Sequence, residues 1–242
     1  MVLAAAAYAS WRSWATQRLY AEAMGYPAYF RSTAESVTAV RKLAAFHGRR
    51  VTGMLLDIAG RSGELAGDAG IEAVGALRER KEPEVADALA DLLQPHTSLA
   101  LRQAVASALP DLPCGSVCIR SILHYLERIA QGELNTEDRL TLPAGAEGVA
   151  ASLKRAQQAA YDGLYSVLKQ QKLVTLAVME SVYGLGTAEP SPFALDLVSR
   201  LELPDACPLL VQSDRDMRNL PAEHYRLPRE EVQASLSELR CR

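Results

Sequence analysis

The sequence predicts an all-α protein built from stacked pairs of helices. Ala and Leu are abundant in the 242 residues and aromatic residues make up only 6%, a composition that favours helices over strands. No segment shows the alternation of apolar and polar residues that is typical of a half-buried strand. Apolar residues instead recur at helical spacing, in segments that resemble one another about one repeat length apart.

Residues 1–31 predict an N-terminal helix followed by a turn. Gly25 and Pro27 end the helix. Tyr8, Trp11, Trp14 and Leu19 lie near one face of it, at steps of three to five residues. Such a face either packs on the next helix or lies in a membrane interface, where Trp, Tyr and Arg are favoured. The helix is therefore either a cap on the following repeats or an attachment element.

Residues 32–131 repeat a unit made of a helix, a turn and a second helix. A shift of 34 residues places Val51 and Leu55 on Val85 and Leu89, and a further shift of 33 places Leu89 on Ile122. Neither helix of a pair can bury its apolar face alone, so neighbouring pairs stack and share a core. The turns are predicted from their helix breakers, which are Gly48, Gly60 to Gly63, Pro83, Pro95, Pro110 and Pro113.

This pattern resembles that of HEAT repeats. The segments that carry the resemblance are "SVTAVRKLAAFHGRRVTGMLLDIAG", "GIEAVGALRERKEPEVADALADLL" and "LALRQAVASALPDLPCGSVCIRSILHYL". Many HEAT units place an Asp and then an Arg at set turn positions, whereas these positions vary here. The resemblance implies a short α-helical solenoid that binds partners along its curved surface. A minority of such solenoids are enzymes, including DNA alkylation-repair glycosylases and bilin lyases.

The remaining residues predict a loop and a helical C-terminal region. Residues 132–148 are polar and contain one Pro and three Gly, as a loop does. Residues 149–242 begin with one long helix, or with two that break near Gln171. A short helix ended by Pro204 follows, and "REEVQASLSELR" forms the last helix. Between these two helices, prolines at 204, 208, 221 and 228 predict an ordered but extended arm.

Basic residues concentrate near the start of the chain. Residues 1–50 hold seven basic and two acidic residues, whereas the rest holds 19 basic and 27 acidic residues. This asymmetry indicates an anionic partner, either an acidic protein subunit or a membrane surface, unless the helix faces simply differ in sign. Acidic residues follow in the second repeat and interrupt the basic strip that nucleic-acid binding would require. The predicted attachment surface consists of Trp11, Arg12, Trp14, Arg18, Arg41, Lys42, Arg49 and Arg50.

No catalytic, cofactor or metal site is predicted. Cys114 and Cys118 could share a helical face with His124 nearby, but the spacing is not that of a known zinc motif. Buried thiols are therefore expected, with a disulfide between these two cysteines as the alternative. Asp57 and Asp91 recur at equivalent repeat positions, which indicates solvated edges rather than acid–base chemistry. "GRSGELAGDAG" lacks the Lys-Ser/Thr of a phosphate-binding loop and is predicted to be a turn.

The sequence thus favours a non-catalytic scaffold or accessory subunit that binds other proteins within a larger assembly. The alternatives are an enzyme of the lyase or DNA-repair type that uses a solenoid groove, and a nucleic-acid-binding helical-repeat protein. Four cysteines are too few for a disulfide scaffold, so a reducing compartment is expected, either the cytoplasm or an organelle interior. The Ala- and Arg-containing N-terminus is similar to mitochondrial and plastid transit peptides, but we expect it to remain as a helix.

Overall fold

The structure is a computed structural model that describes residues 2–25, 33–65, 67–94, 97–131, 147–219 and 229–241. These residues form twelve α-helices and two short 3-10 helices, and they contain no strand. The predicted all-α class is therefore confirmed. The chain divides into two compact units, one made of residues 1–113 with 140–161 and the other of residues 114–139 with 162–242.

Most of the helices are short and follow one another closely. The first unit contains α1 (Val2–Ala23), α2 (Thr33–Ala44), α3 (Arg49–Leu65), α4 (Gly67–Arg78), α5 (Pro83–Ala90), α6 (Leu99–Ala108) and η1 (Leu109–Asp111). The second contains α7 (Ser116–Ala130), α9 (Lys172–Tyr183), α10 (Pro192–Arg200), η2 (Pro204–Ala206), α11 (Cys207–Arg218) and α12 (Arg229–Glu238). α8 (Glu147–Gln170) begins in the first unit and continues into the second.

Several helix ends lie where the sequence predicts them. α1 ends just before Gly25, and Gly48 lies in the turn between α2 and α3. Pro83 opens α5, where its missing N–H removes no helical hydrogen bond. The break predicted near Gln171 is confirmed, because α8 and α9 meet there.

The apolar positions that repeat in the sequence are buried in successive helices. Leu55 in α3, Leu89 in α5 and Ile122 in α7 each have 0% of their surface exposed. Val40 in α2 and Val74 in α4 are buried as well. Each of these helices therefore buries the face that the spacing predicts.

Polar contacts join the helices of the first unit at a regular sequence distance. α1 contacts α2, α2 contacts α4, and α4 contacts α6, while α3 contacts α4 and α5. The described side-chain hydrogen bonds between elements of this unit link residues 28 to 37 positions apart. Arg78, for example, pairs with Asp111, and Lys81 Nζ donates to the Asp111 carbonyl at 3.1 Å. The helices of this unit are thus joined by contacts between residues 28 to 37 positions apart in the sequence.

The turn predicted at Gly60 to Gly63 is wrong, because α3 continues through Leu65. Glycine lowers helix stability by only about 1 kcal/mol relative to alanine. The same helix buries Val51, Leu55 and Ile58, and each such side chain contributes about 1.5–3 kcal/mol. Burial of this face outweighs the local preference of the glycines.

The extended arm predicted from Pro204 is wrong for residues 204–219, which are largely helical. Pro204 opens η2 and Pro208 lies in the first turn of α11. An N–H in the first turn has no helical partner, so a proline there interrupts nothing. Residues 220–228, with the other two prolines, lie outside the described residues, as do residues 132–146 of the predicted loop.

Two disulfides in the second unit replace the expected buried thiols, and the bond between Cys114 and Cys118 is the alternative that the sequence allowed. Cys114 is bonded to Cys118 and Cys207 to Cys241, although Cys118 is fully buried as expected. The first pair forms because the chain brings residues four apart together at the start of α7. The second pair forms because α11 packs on α12, which brings Cys241 beside the first residue of α11.

A buried carboxylate also joins α11 to α12. The Asp214 side chain is only 9% exposed. Its Oδ1 accepts a hydrogen bond from Arg229 Nε at 2.6 Å, and its Oδ2 accepts one from Arg218 Nη2 at 2.5 Å. The hydrogen bond from Arg229, with that from Arg218, holds the pKa of the Asp214 carboxyl below its ordinary value against the opposing effect of burial.

We expect Leu89→Ala to lower the free energy of unfolding by about 2–5 kcal/mol, because it leaves a cavity at a fully buried position. Leu173→Ala makes the same change at a position in α9 that is 70% exposed, and it should alter stability by less than about 0.5 kcal/mol. Denaturant unfolding followed by circular dichroism measures both variants. Equal unfolding midpoints would contradict the burial of the repeated positions.

The disulfides predict which cysteines resist alkylation. Without reduction, all four should remain unmodified in the intact mass spectrum, and four labels should appear after reduction. Replacing Cys207 and Cys241 by Ser should lower stability by about 2–4 kcal/mol, because that bridge closes a long loop. The pair Cys114→Ser and Cys118→Ser should have a smaller effect, since the sequence separation is 4 rather than 34. Four labels without reduction would refute both pairings.

The Asp214 pairing predicts a specific dependence of stability on pH. The pKa of Asp214 is lower in the folded protein than in the unfolded chain, where it is about 3.9. Its contribution is therefore complete above about pH 5 and is lost as the pH falls through the folded-state pKa. Asp214→Asn should be less stable than wild type at pH 7, and its stability should fall less steeply on acidification.

The matched control is Asp196→Asn, which removes an Asp that also pairs with an Arg four residues away but is 59% exposed. Chemical denaturation at several pH values compares the three proteins. An identical pH slope in wild type and Asp214→Asn would contradict the assignment, as would an equal effect of Asp196→Asn.

Candidate functional site

One side of α1 is fixed to the first helix pair. Arg50, in α3, donates from Nη1 to Ser13 Oγ at 2.8 Å and from Nη2 to Gln17 Oε1 at 3.0 Å. Tyr20 donates to a carboxylate oxygen of Asp57. Thr16 and Ala23 are buried on the same side. These contacts agree with the packing of α1 on α2 and α3, so this side of α1 is not available to a partner.

The other side of α1 exposes three large aromatic rings. Tyr8, Trp11 and Trp14 are 61%, 54% and 60% exposed. The Tyr8 and Trp11 ring centroids are 6.0 Å apart. Cζ of Arg18 lies 5.5 Å from the centroid of the Trp14 ring, a distance at which a cation is attracted to an aromatic face. The structure therefore brings Trp11, Trp14 and Arg18 of the predicted attachment surface together on one face.

The other basic residues of the predicted attachment surface are arranged differently. Arg12 donates to the carbonyl of His47, and Arg50 lies on the packed side of α1. Arg41 pairs with Glu72, with Nε–Oε1 at 2.8 Å and Nη2–Oε2 at 3.1 Å, and this hydrogen bond raises the pKa of Arg41. Arg49 Nη2 lies 3.6 Å from Glu84 Oε1, and Lys42 is exposed. Most of these cations thus contact other parts of the chain.

The two carboxylates singled out in the sequence lie at different kinds of position. Asp57 accepts from Tyr20 and, at 2.9 Å, from Arg61 Nε. Asp91 is the residue that ends α5. These contacts suit helix edges and do not by themselves build an acid–base pair.

The cysteine and histidine candidates do not converge. His124 Nδ1 lies 3.8 Å from Glu127 Oε2, whereas Cys114 and Cys118 are bonded to each other. Within the described ranges, no group of three or more His, Cys, Asp or Glu side chains could hold a metal ion. His96 lies outside those ranges.

None of the described helices combines the length and the apolar character that crossing a bilayer requires.

A cleft in the second unit was not predicted from the sequence. It has a volume of about 720 Å³ and lies between α7 and the turn that joins α9 to α10. The Tyr183 hydroxyl, at the end of α9, donates to Glu127 Oε2 at 3.2 Å. Burial raises the pKa of Tyr183 well above its ordinary value, and the Glu127 carboxylate raises it further, so this hydroxyl keeps its proton and remains a donor.

The sequence contains only a weak signal of this cleft. Arg120, His124 and Glu127 are spaced to share one face of a helix, but their partner Tyr183 is 56 residues from Glu127. Nothing local in the sequence links the two. The available indication of a binding site was the row of polar residues on one face of α7, a helix whose other face is apolar.

The chain matches no protein-family model, no curated protein and no solved structure.

Proposed function

We propose that the protein is a non-catalytic scaffold or accessory subunit that binds another protein through the exposed face of α1. The observation that carries the proposal is the exposure of Tyr8, Trp11 and Trp14, each by more than half, on a helix whose opposite side is packed. Neighbouring aromatic rings that remain in water are a sign of an interaction surface. Trp, Tyr and Arg are also the residues that dominate the affinity of protein interfaces.

The partner we infer is a protein with an apolar pocket and an acidic rim. The rings of Trp11 and Trp14 would fill the pocket, because they offer large apolar area with little conformational freedom to lose. Arg18 lies beside Trp14, is 63% exposed and donates from Nε to Glu22 Oε1 at 2.9 Å. This exposed pair is weak, and the remaining guanidinium donors of Arg18 favour carboxylates on the partner.

The architecture we propose is a short HEAT-like solenoid. The order of helix contacts in the first unit, α1 to α2 to α4 to α6, supports stacked pairs. The hydrogen bonds between positions 28 to 37 residues apart support a repeat of about the same length. Stacked pairs leave a terminal face that must be covered, and α1 would cover it while its aromatic side faces outwards.

Nucleic acid is the partner that we disfavour. Arg41 and Arg49 lie beside Glu72 and Glu84, so acidic side chains interrupt the densest basic cluster. A phosphate backbone requires a continuous row of available cations. This interruption therefore supports a protein partner over DNA or RNA.

The two disulfides bear on where the protein works. Disulfides persist in oxidising compartments and are rare in the cytosol. We therefore propose an oxidising compartment in place of the reducing one expected from the low cysteine count.

The proposal is tested by cross-linking followed by affinity measurement. A photoreactive amino acid at position 11 should cross-link to one partner protein in the native source, whereas the same group at position 173, exposed on α9, should not give that product. Trp11→Ala with Trp14→Ala should then weaken binding to the purified partner by about 30-fold or more, as loss of interface hot spots does.

Leu173→Ala is the control and should bind the purified partner with wild-type affinity. This control and the Trp11→Ala, Trp14→Ala double variant should both retain the wild-type unfolding midpoint, since the altered side chains are exposed. Binding to anionic lipid vesicles that depends on Trp11 and Trp14, with no protein cross-link at position 11, would show that the surface is a membrane contact instead.

A further inference from the structure

The cleft of the second unit has the size of a small-molecule site. Its volume of about 720 Å³ lies within the range of about 300–1,000 Å³ that is typical of ligand pockets. Its lining combines apolar surface from Val182 and Pro190 with polar groups from α7. This combination of apolar walls and a few polar groups is the usual composition of a ligand site.

One wall of the cleft is preorganised by hydrogen bonds within the turn between α9 and α10. Gly184 ends α9 at φ 65°, and a Cβ there would lie 2.9 Å from the Glu189 carbonyl oxygen, so only glycine fits. Thr187 Oγ1 donates to the Gly184 carbonyl at 2.7 Å. The Ser191 N–H donates to the Tyr183 carbonyl at 2.8 Å and closes the turn. A ligand would meet a wall that is already ordered.

The opposite wall presents separate positive and negative groups. Arg120, His124 and Glu127 lie along one face of α7. Glu127 is held by the Tyr183 hydroxyl at 3.2 Å and by the neighbouring His124. Fixed in this way, the carboxylate can accept a hydrogen bond from a ligand. Glu189 lines the other side and adds a second acceptor.

Arg120 differs from most of the described arginines in its lack of an observed contact with another side chain or carbonyl of the described chain. Nearly all of the others hydrogen-bond to, pair with or otherwise contact a residue of the chain. Within the described part of the chain, no such contact is seen for Arg120, which lines the cleft. A guanidinium with five donors in a planar fork is suited to binding a carboxylate with two parallel hydrogen bonds.

We propose that this cleft binds a small organic carboxylate that carries a hydrogen-bond donor at its other end. The carboxylate pairs with Arg120, with His124 beside it. The apolar body of the ligand contacts Val182 and Pro192, and its donor reaches Glu127 or Glu189. This site is separate from the α1 face and does not depend on the protein partner.

The test measures how three small aromatic compounds of similar shape bind to the full chain. 4-Hydroxybenzoate has both polar ends, benzoate lacks the donor, and 4-methylphenol lacks the carboxylate. Chemical-shift titration should give saturable binding of 4-hydroxybenzoate with a Kd in the millimolar range or below. Benzoate and 4-methylphenol should each bind several-fold more weakly, since each lacks one of the polar groups.

Two variants identify the group that holds the carboxylate. Arg120→Gln should raise the Kd of 4-hydroxybenzoate at least tenfold, because a charge-assisted pair is lost. Arg240→Gln removes the same charge from an exposed position outside the cleft and should leave the Kd within about twofold of wild type, since surface charges at a distance are screened.

Absence of saturable binding of 4-hydroxybenzoate by wild type up to about 10 mM would overturn the proposal. Equal affinities of wild type and Arg120→Gln would do the same. Equal binding of benzoate and 4-hydroxybenzoate would refute the donor contact to Glu127 or Glu189. The partner-binding measurements made with the α1 variants are unaffected by any of these outcomes.

Discussion

The first unit depends on hydrogen bonds by which Arg80 reaches segments 28 to 36 residues earlier in the chain. Ala44 ends α2, and carbonyls at a helix end have no partner within the helix. Arg80 donates from Nη2 to the Ala44 carbonyl at 3.2 Å and the Phe46 carbonyl at 2.7 Å, and from Nη1 to the Thr52 hydroxyl at 3.0 Å. An unmade buried hydrogen bond costs about 1–3 kcal/mol. The turn between α2 and α3 is therefore completed by a residue that follows α4.

The sequence was most informative where the signal is local. The burial of Leu55, Leu89 and Ile122 follows from helical spacing and from repetition, both of which are visible in a short window. The break near Gln171 and the first turn at Pro83 follow from residues that act on their own backbone. These features could be predicted because the physical cause and the affected residue are neighbours in the chain.

The sequence misled where packing at a distance decides the structure. Gly60 remains helical because its helix buries an apolar face, and Pro208 is helical because it lies in a first turn whose position the sequence does not reveal. Cys207 pairs with Cys241 because two helices pack. The candidate sites divide in the same way: the aromatic face of α1 was visible as a pattern within one helix, whereas the cleft requires Glu127 and Tyr183 to meet.

The aromatic face of α1 has a consequence for optical measurements. Both tryptophans of the chain, Trp11 and Trp14, lie on this face and are largely in contact with water. These indoles are already largely exposed to water in the folded protein. Unfolding would therefore change their surroundings, and hence their emission wavelength, only a little. Covering the face would instead move the indoles into an apolar environment and shift their emission to shorter wavelengths. Intrinsic tryptophan fluorescence of this protein therefore reports the occupancy of one helix face rather than the folding of the molecule.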